Sequence, residues 1–125
     1  MPVLAAVVER GGRYLVCRRS AQKRHGGLWE FPGGKLQSGE SLADGLRREL
    51  LEELGVEAEL GGEPLLEVED PGSAYLIVFV PARLAGEPVC LEHDALCWAG
   101  LDELMTLPLA PSDRRFVRDV LVREA

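Results

Sequence analysis

The succession of elements along this chain of 125 residues predicts an α+β (α/β) fold in which a mixed β-sheet is sandwiched between α-helices. Three observations carry that prediction. The runs Val3 to Glu9 and Arg13 to Arg19 are almost continuously apolar in their middles, as in strands covered on both faces. A capped amphipathic stretch from Leu42 to Leu54 repeats at the helical period. Pro111-Ser112-Asp113 opens a second long helix that runs to about Arg123.

Taken in order, Gly11-Gly12 turns the first strand into the second, which ends at Arg18 and Arg19. Ser20 to Gly27 is a loop made basic by Lys23, Arg24 and His25, and it reads either as a phosphate clamp or as a solubilising segment. Pro32-Gly33-Gly34 makes a tight turn. Ser41, with Asp44 three residues on, opens the long helix, and Gly55 closes it. Leu42, Leu46, Leu50 and Leu54 form its apolar stripe, with Ala43 inside it. Gly45 costs this helix about 1 kcal/mol relative to alanine, which close packing would justify. Three more extended segments follow: Glu57 to Glu69, interrupted by Gly61-Gly62 and Pro64, then Ala74 to Arg83, then about Ala95 to Ala99. Asp70-Pro71-Gly72 turns the first into the second. Tyr75, Ile77 and Phe79 share one strand face and Leu76, Val78 and Val80 the other. An aromatic of the first set either packs in the core or stacks on a base. Leu101 to Leu104 is a helical turn, and Phe116, Val117, Val120 and Leu121 form the inner face of the final helix.

This length supports one domain, residues 1–125, with its own core, and an apolar fraction of 46% fits a globular chain. No run is long enough to span a membrane, and Val3 to Val8 is too short and lacks the basic flank of a signal peptide, so a cytoplasmic protein is expected. Cys17, Cys90 and Cys97 are odd in number and lack zinc-type spacing, which favours reduced structural thiols. A net charge of −7 argues against polymeric nucleic acid as the ligand. It leaves a nucleotide open, because bound cations invert the local field.

The chemistry gathers on the long helix. Glu49, Glu52 and Glu53 fall on one arc beside the leucine stripe, and Glu53 points between Leu42 and Leu46 toward the packed side. Carboxylates crowded at a core edge repel one another and lose hydration, so a cation is expected among them. Hard divalent ions with oxygen ligands suit such a cluster, and Mg²⁺ in particular pairs carboxylates with phosphate oxygens. The alternative for any one of these glutamates is a solvated acidic face.

Gly34, Glu40 and the run Arg48-Glu49-Leu50-Leu51-Glu52-Glu53-Leu54-Gly55-Val56 match the Nudix box, G-x5-E-x7-R-E-U-x-E-E-x-G-U with U aliphatic, at every specified position. The chain therefore resembles a Nudix hydrolase over its whole length, and the Nudix fold is implied with it. The resemblance implies Mg²⁺, with Mn²⁺ as a possible substitute, held by Glu49, Glu52, Glu53 and the Gly33 carbonyl against the phosphates of a nucleotide. It gives Arg48 the task of orienting a metal-binding glutamate. Glu53 is the first choice of general base, Glu92 and Asp94 are candidates in a later loop, and Glu40 braces the loop before the helix.

Leu28-Trp29-Glu30-Phe31-Pro32-Gly33-Gly34-Lys35 is similar to the approach to the box in the MutT branch. In that branch an arginine placed like Arg19 meets the nucleotide. Lys35 is either a phosphate contact or a solvated lysine, and Phe31 and Phe79 are candidate aromatic contacts to substrate. Asp113 stands where MutT-like enzymes present an asparagine to the base; an ionised aspartate only accepts hydrogen bonds, which suits cytosine or guanine donors. Ser112 or Asp113 would alternatively cap the last helix. The implied activity is hydrolysis of nucleoside triphosphates to monophosphate and pyrophosphate, as in nucleotide-pool sanitation linked to DNA repair, by a monomer or homodimer. Pro71 leaves ADP-ribose or another nucleoside diphosphate sugar as an alternative substrate, and a non-catalytic nucleotide sensor is the alternative of another class.

Overall fold

Side-chain alternation along strand β1 (Pro2–Val7) decides the layering. In the computed structural model, which describes residues 1–124, Leu4 and Ala6 face one core and Ala5 and Val7 the other. Both faces of this strand are buried, as its continuous apolar run demanded. β1 runs parallel to β8 (Leu76–Leu84) and antiparallel to β5 (Gly33–Lys35). β8 also receives β6 (Ala58–Leu60) and β7 (Leu66–Glu69) antiparallel, completing a mixed five-stranded sheet.

The expected single sheet is split. At Val8 the chain leaves the first sheet, and β2 (Glu9–Arg10), β3 (Arg13–Arg18), β4 (Trp29–Glu30) and β9 (Ala95–Ala99) form a second, antiparallel one. The short hairpin at Gly11-Gly12 sets β3 against β2, so β3 takes β9 and β4 as neighbours instead of the first sheet.

Helix α1 (Leu42–Leu54) covers one side, packing Leu46, Leu50 and Leu54 on Leu4, Ala6, Val78 and Val80. Ser41 Oγ accepts from the Asp44 N–H at 3.1 Å, and Gly55 closes the helix with φ 66°. A Cβ at Gly45 would overlap the Leu36 side chain, which is the close packing that position required. The other side is covered by α2 (Leu101–Thr106) and by a C-terminal helix in three pieces: α3 (Pro111–Phe116), a π-helical turn (Val117–Leu121) and α4 (Val122–Glu124). No described helix is long and apolar enough to cross a membrane.

Under the C-terminal helix, Phe31, Phe79 and Phe116 form one aromatic cluster. Phe79 and Phe116 stack at 4.5 Å between centroids, and Phe31 meets each of them edge-on. Phe31 is 3% exposed and Phe79 0%, so neither ring is free to stack on a base. The expectation that they contact substrate is corrected: alternation points both rings inward, where Phe116 covers them. Replacing Phe116 by alanine should lower the unfolding free energy by about 3–5 kcal/mol, read from chemical denaturation.

Candidate active site

Two elements meet at the C-terminal half of α1. The turn entering β5 carries Gly33 so close to β1 that a Cβ would overlap the Leu4 carbonyl oxygen, and its φ of 154° also favours glycine. The backbone can therefore run directly against the helix, and the Gly33 N–H donates to Glu53 Oε1 at 3.3 Å. Glu53 is only 6% exposed, as its helical azimuth implied. Burial, with Glu49 and Glu30 nearby, pushes its carboxyl well above the usual carboxylate range.

Arg48 organises the opposite edge. Its Nε and Nη2 donate to the two oxygens of Glu40 at 2.8 and 2.9 Å, and its Nη1 donates to Glu49 Oε1 at 2.8 Å. A further bond to the Lys35 carbonyl at 3.1 Å ties the guanidinium to β5. The arginine holds the Glu40 carboxyl down at about 2, and the carboxylates raise the arginine in turn. Glu40 also accepts from the Gln37 N–H, so it braces the loop before the helix as expected. Glu49 is thereby pinned in one orientation.

Glu49 and Glu53 line a cleft of about 490 Å³ together with Gly33, Lys35, Arg19 and Asp113. Glu52 is not among its walls. Its carboxylate is half exposed and lies 3.5 Å from Arg48, so two of the three glutamates line the cleft and the third stands at its edge. Among the described residues no three His, Cys, Asp or Glu side chains are already grouped to hold a metal ion. The Glu49–Glu53 pair nevertheless fits a hard divalent cation: it offers carboxylate oxygen donors on successive turns of one helix, with Glu53 buried beside Glu49.

The facing wall is basic. Arg19 Nη1 binds both oxygens of Glu30 at 2.9 and 3.0 Å, and its Nε donates to the Arg24 carbonyl at 2.7 Å. Arg24 reaches Asp70 Oδ2 at 2.9 Å and the Pro71 carbonyl at 3.1 Å, which anchors the 20–27 loop over the cleft. Ser20, Lys23 and His25 of that loop line the same cleft. Lys35 Nζ lies 4.8 Å from the centroid of the Tyr75 ring. Tyr75 and Ile77 are the members of their strand face that reach the cleft.

The last helix is capped at Ala110, so neither Ser112 nor Asp113 serves as its cap. Ser112 Oγ donates to Asp70 Oδ1 at 3.1 Å, and Asp113 Oδ1 accepts the buried Phe31 N–H at 2.9 Å. Burial pushes the Asp113 carboxyl up to about 8. Burial thus favours the protonated form of this group, which can donate as well as accept, where an ionised side chain would only accept. All three cysteines are free of disulfides; burial raises Cys17 and Cys97.

Two residues escaped the reading of the sequence. Glu30 sits inside the Trp-Glu-Phe-Pro-Gly-Gly stretch, where its neighbours drew the attention. His93, between Glu92 and Asp94, places Nε2 2.9 Å from Glu30 Oε2 and Nδ1 3.9 Å from Glu53 Oε1. Glu92 reaches the cleft, whereas Asp94 is exposed beyond it and uses its N–H on the Arg18 carbonyl. No spacing rule links residue 93 to residue 30.

A carboxyl whose pKa rises from 3.8 unfolded to about 8 folded binds an extra proton in the native state between those values. Its contribution to stability therefore falls as pH rises through that window. Asp113→Asn keeps an acceptor for the Phe31 N–H and removes the titration. In metal-free protein the fall of Tm between pH 5 and pH 8 should be shallower in Asp113→Asn than in wild type.

A family model described as the NUDIX domain matches residues 1–120. The chain is 39% identical over 113 residues to CTP pyrophosphohydrolase of Escherichia coli K12, covering 89% of this chain and 84% of that protein. It is 36% identical over 121 residues to putative 8-oxo-dGTP diphosphatase 2 of Mycobacterium tuberculosis, covering 94% and 86%. The crystal structure of a MutT NUDIX hydrolase from Burkholderia pseudomallei superposes with a TM-score of 0.79 at 30% identity, covering 96% of this chain and 98% of that one. With the whole box in place on α1 and these matches along nearly its full length, the chain belongs to the Nudix family.

Proposed function

We propose that this chain is a MutT-type pyrophosphohydrolase that takes a (deoxy)nucleoside triphosphate and water to the monophosphate and pyrophosphate. The observation that carries the reading is the buried Glu53 carboxyl, held beside Gly33 and Glu49 in a cleft whose opposite wall is basic. Glu49 and Glu53 would hold Mg²⁺, with the Gly33 carbonyl and Glu52 as further ligands, and Mn²⁺ would substitute. Bound there, the cation supplies positive charge against the phosphate oxygens and acidifies the attacking water. Glu53 takes the proton as the water oxygen bonds to phosphorus, and the anhydride bond to the leaving phosphate breaks. Arg48 keeps Glu49 aligned while charge builds, and Arg19, Lys23 and Lys35 offset the charge of the phosphates.

At the base end, Asp113 presents a carboxyl able to donate and accept. Cytosine offers an amino donor beside a ring-nitrogen acceptor, and guanine-type edges offer donors, so cytidine or oxidised-guanine triphosphates are the substrates of choice. The names of the Escherichia coli and Mycobacterium relatives support the same pair. The reading is of one catalytic domain, residues 1–125, acting in the cytoplasm as a monomer or homodimer on free nucleotides. Its net charge of −7 disfavours binding to nucleic acid.

Product analysis with Mg²⁺ on common nucleoside triphosphates, 8-oxo-dGTP, 5-substituted dCTPs and ADP-ribose, reading pyrophosphate from the triphosphates and AMP with ribose 5-phosphate from ADP-ribose, tests the proposal. Triphosphates should be cleaved, and Glu53→Gln should lower kcat by about 10²–10⁴-fold. Cleavage of ADP-ribose alone would overturn the triphosphate assignment. Chelation of the cation should abolish turnover, and added Mg²⁺ should restore it.

A further inference from the structure

Three walls of the cleft meet at Asp70, the residue that follows β7. Its side chain is only 11% exposed. Oδ1 accepts from Ser112 Oγ at 3.1 Å, and Oδ2 accepts from Arg24 Nη1 at 2.9 Å and Ser73 Oγ at 3.0 Å. Ser73 Oγ in turn accepts the Tyr75 N–H at 3.2 Å, and the Asp70 N–H donates to the Tyr75 carbonyl at 2.9 Å. One carboxylate is thereby joined to the 20–27 loop, to the start of the strand beyond Tyr75 and to the residue before Asp113. Arg24, Tyr75 and Asp113 line the same cleft from these three segments. A carboxylate has about four lone-pair sites, and three partners occupy them here. Little is left for a ligand, so Asp70 serves as a junction and does not itself read a base.

Charge gives the junction a second task. The cleft already contains Glu49 and Glu53, so a further unbalanced carboxylate would repel an incoming triphosphate. Arg24 supplies the balance: Nη1 goes to Asp70 and Nη2 to the Pro71 carbonyl at 3.1 Å, which withholds this arginine from the phosphates. We propose that Arg24, Asp70 and Ser112 form a clasp that sets base selectivity, fixing the 20–27 loop and Asp113 in one relation while cancelling a charge hostile to the nucleotide. Arg24 and Asp70 are positioning residues: they act through the loop and Asp113 and take no part in proton transfer. With the clasp closed, a base that mismatches the Asp113 carboxyl meets walls that do not relax around it, and polar groups are left unpaired. This inference rests on the substrate being a nucleotide whose base lies against Asp113.

Neutral isosteres separate the clasp from a direct phosphate contact. Asp70→Asn keeps an acceptor for Ser112 and removes the ion pair, whereas Arg24→Gln leaves the Asp70 charge unbalanced beside the cleft. With Mg²⁺ and the triphosphate panel, Asp70→Asn should shrink the kcat/KM ratio between best and poorest base by about tenfold. Its kcat on the best substrate should change by less than about threefold. Arg24→Gln should raise KM by about 10–30-fold, and Arg24→Gln/Asp70→Asn should regain most of that loss. A phosphate-binding arginine gives the opposite pattern: Asp70→Asn would lower KM by freeing Arg24, and the double variant would do no better than Arg24→Gln. That pattern, or an unchanged base ratio in Asp70→Asn, would overturn the clasp. Hydrogen exchange of the 20–27 amides reads the same contact without metal or substrate. It should quicken by about tenfold in either single variant and no further in the double. Exchange indifferent to both substitutions would also overturn the clasp. If wild type cleaves no triphosphate, the functional reading fails by itself, and the exchange rates still decide whether the clasp holds the loop.

Discussion

Keeping the Glu53 carboxyl out of water at the end of α1 is the constraint around which the rest of this molecule is arranged. A lone carboxylate so placed is unfavourable, and its raised pKa expresses that cost. Every neighbour either tolerates or answers it. Gly33 lets β5 approach close enough to donate its N–H, and Arg48 draws Glu49 to one side through a guanidinium shared with Glu40. A divalent cation would complete the balance, which is why hard-metal chemistry and this geometry belong together.

The two-sided core serves the same end. Leucines of α1 seat the helix on one face of the five-stranded sheet, and the phenylalanine cluster seats the C-terminal helix on the other. Because the Trp29 strand is tied to the segment before that helix, by its N–H to Pro108 and its carbonyl to Ala110, Asp113 is delivered to the Phe31 N–H at the wall of the cleft. Glu53 and Asp113 are therefore brought to one cleft by opposite layers.

The basic loop from Ser20 to Gly27 is held over the cleft. Arg24 grips the Asp70 turn, and Asp70 in turn accepts from Ser112. One aspartate thus fastens loop, hairpin and helix together around the cleft mouth. A loop so anchored loses little entropy when a ligand arrives, which favours binding.

Local chemistry was legible in the chain by itself. The cap at Ser41, the stop at Gly55, the leucine stripe, the inward azimuth of Glu53 and the alternation along β8 each depend on residues a few positions apart, and period and sterics determine them. The Nudix box is legible for the same reason, since its spacing is the spacing of one helix and the turn before it. What the tertiary structure decided is long-range. Splitting of the sheet at Val8, closure of the Phe31–Phe79–Phe116 cluster over rings that local pattern left open, and the outward turn of Glu52 toward Arg48 depend on how layers pack. Burial likewise raises the Asp113 carboxyl, because desolvation is imposed by layers that only the fold assembles. The pairing of His93 with Glu30 spans 63 positions, and no local period encodes it; only the folded sheet makes them neighbours.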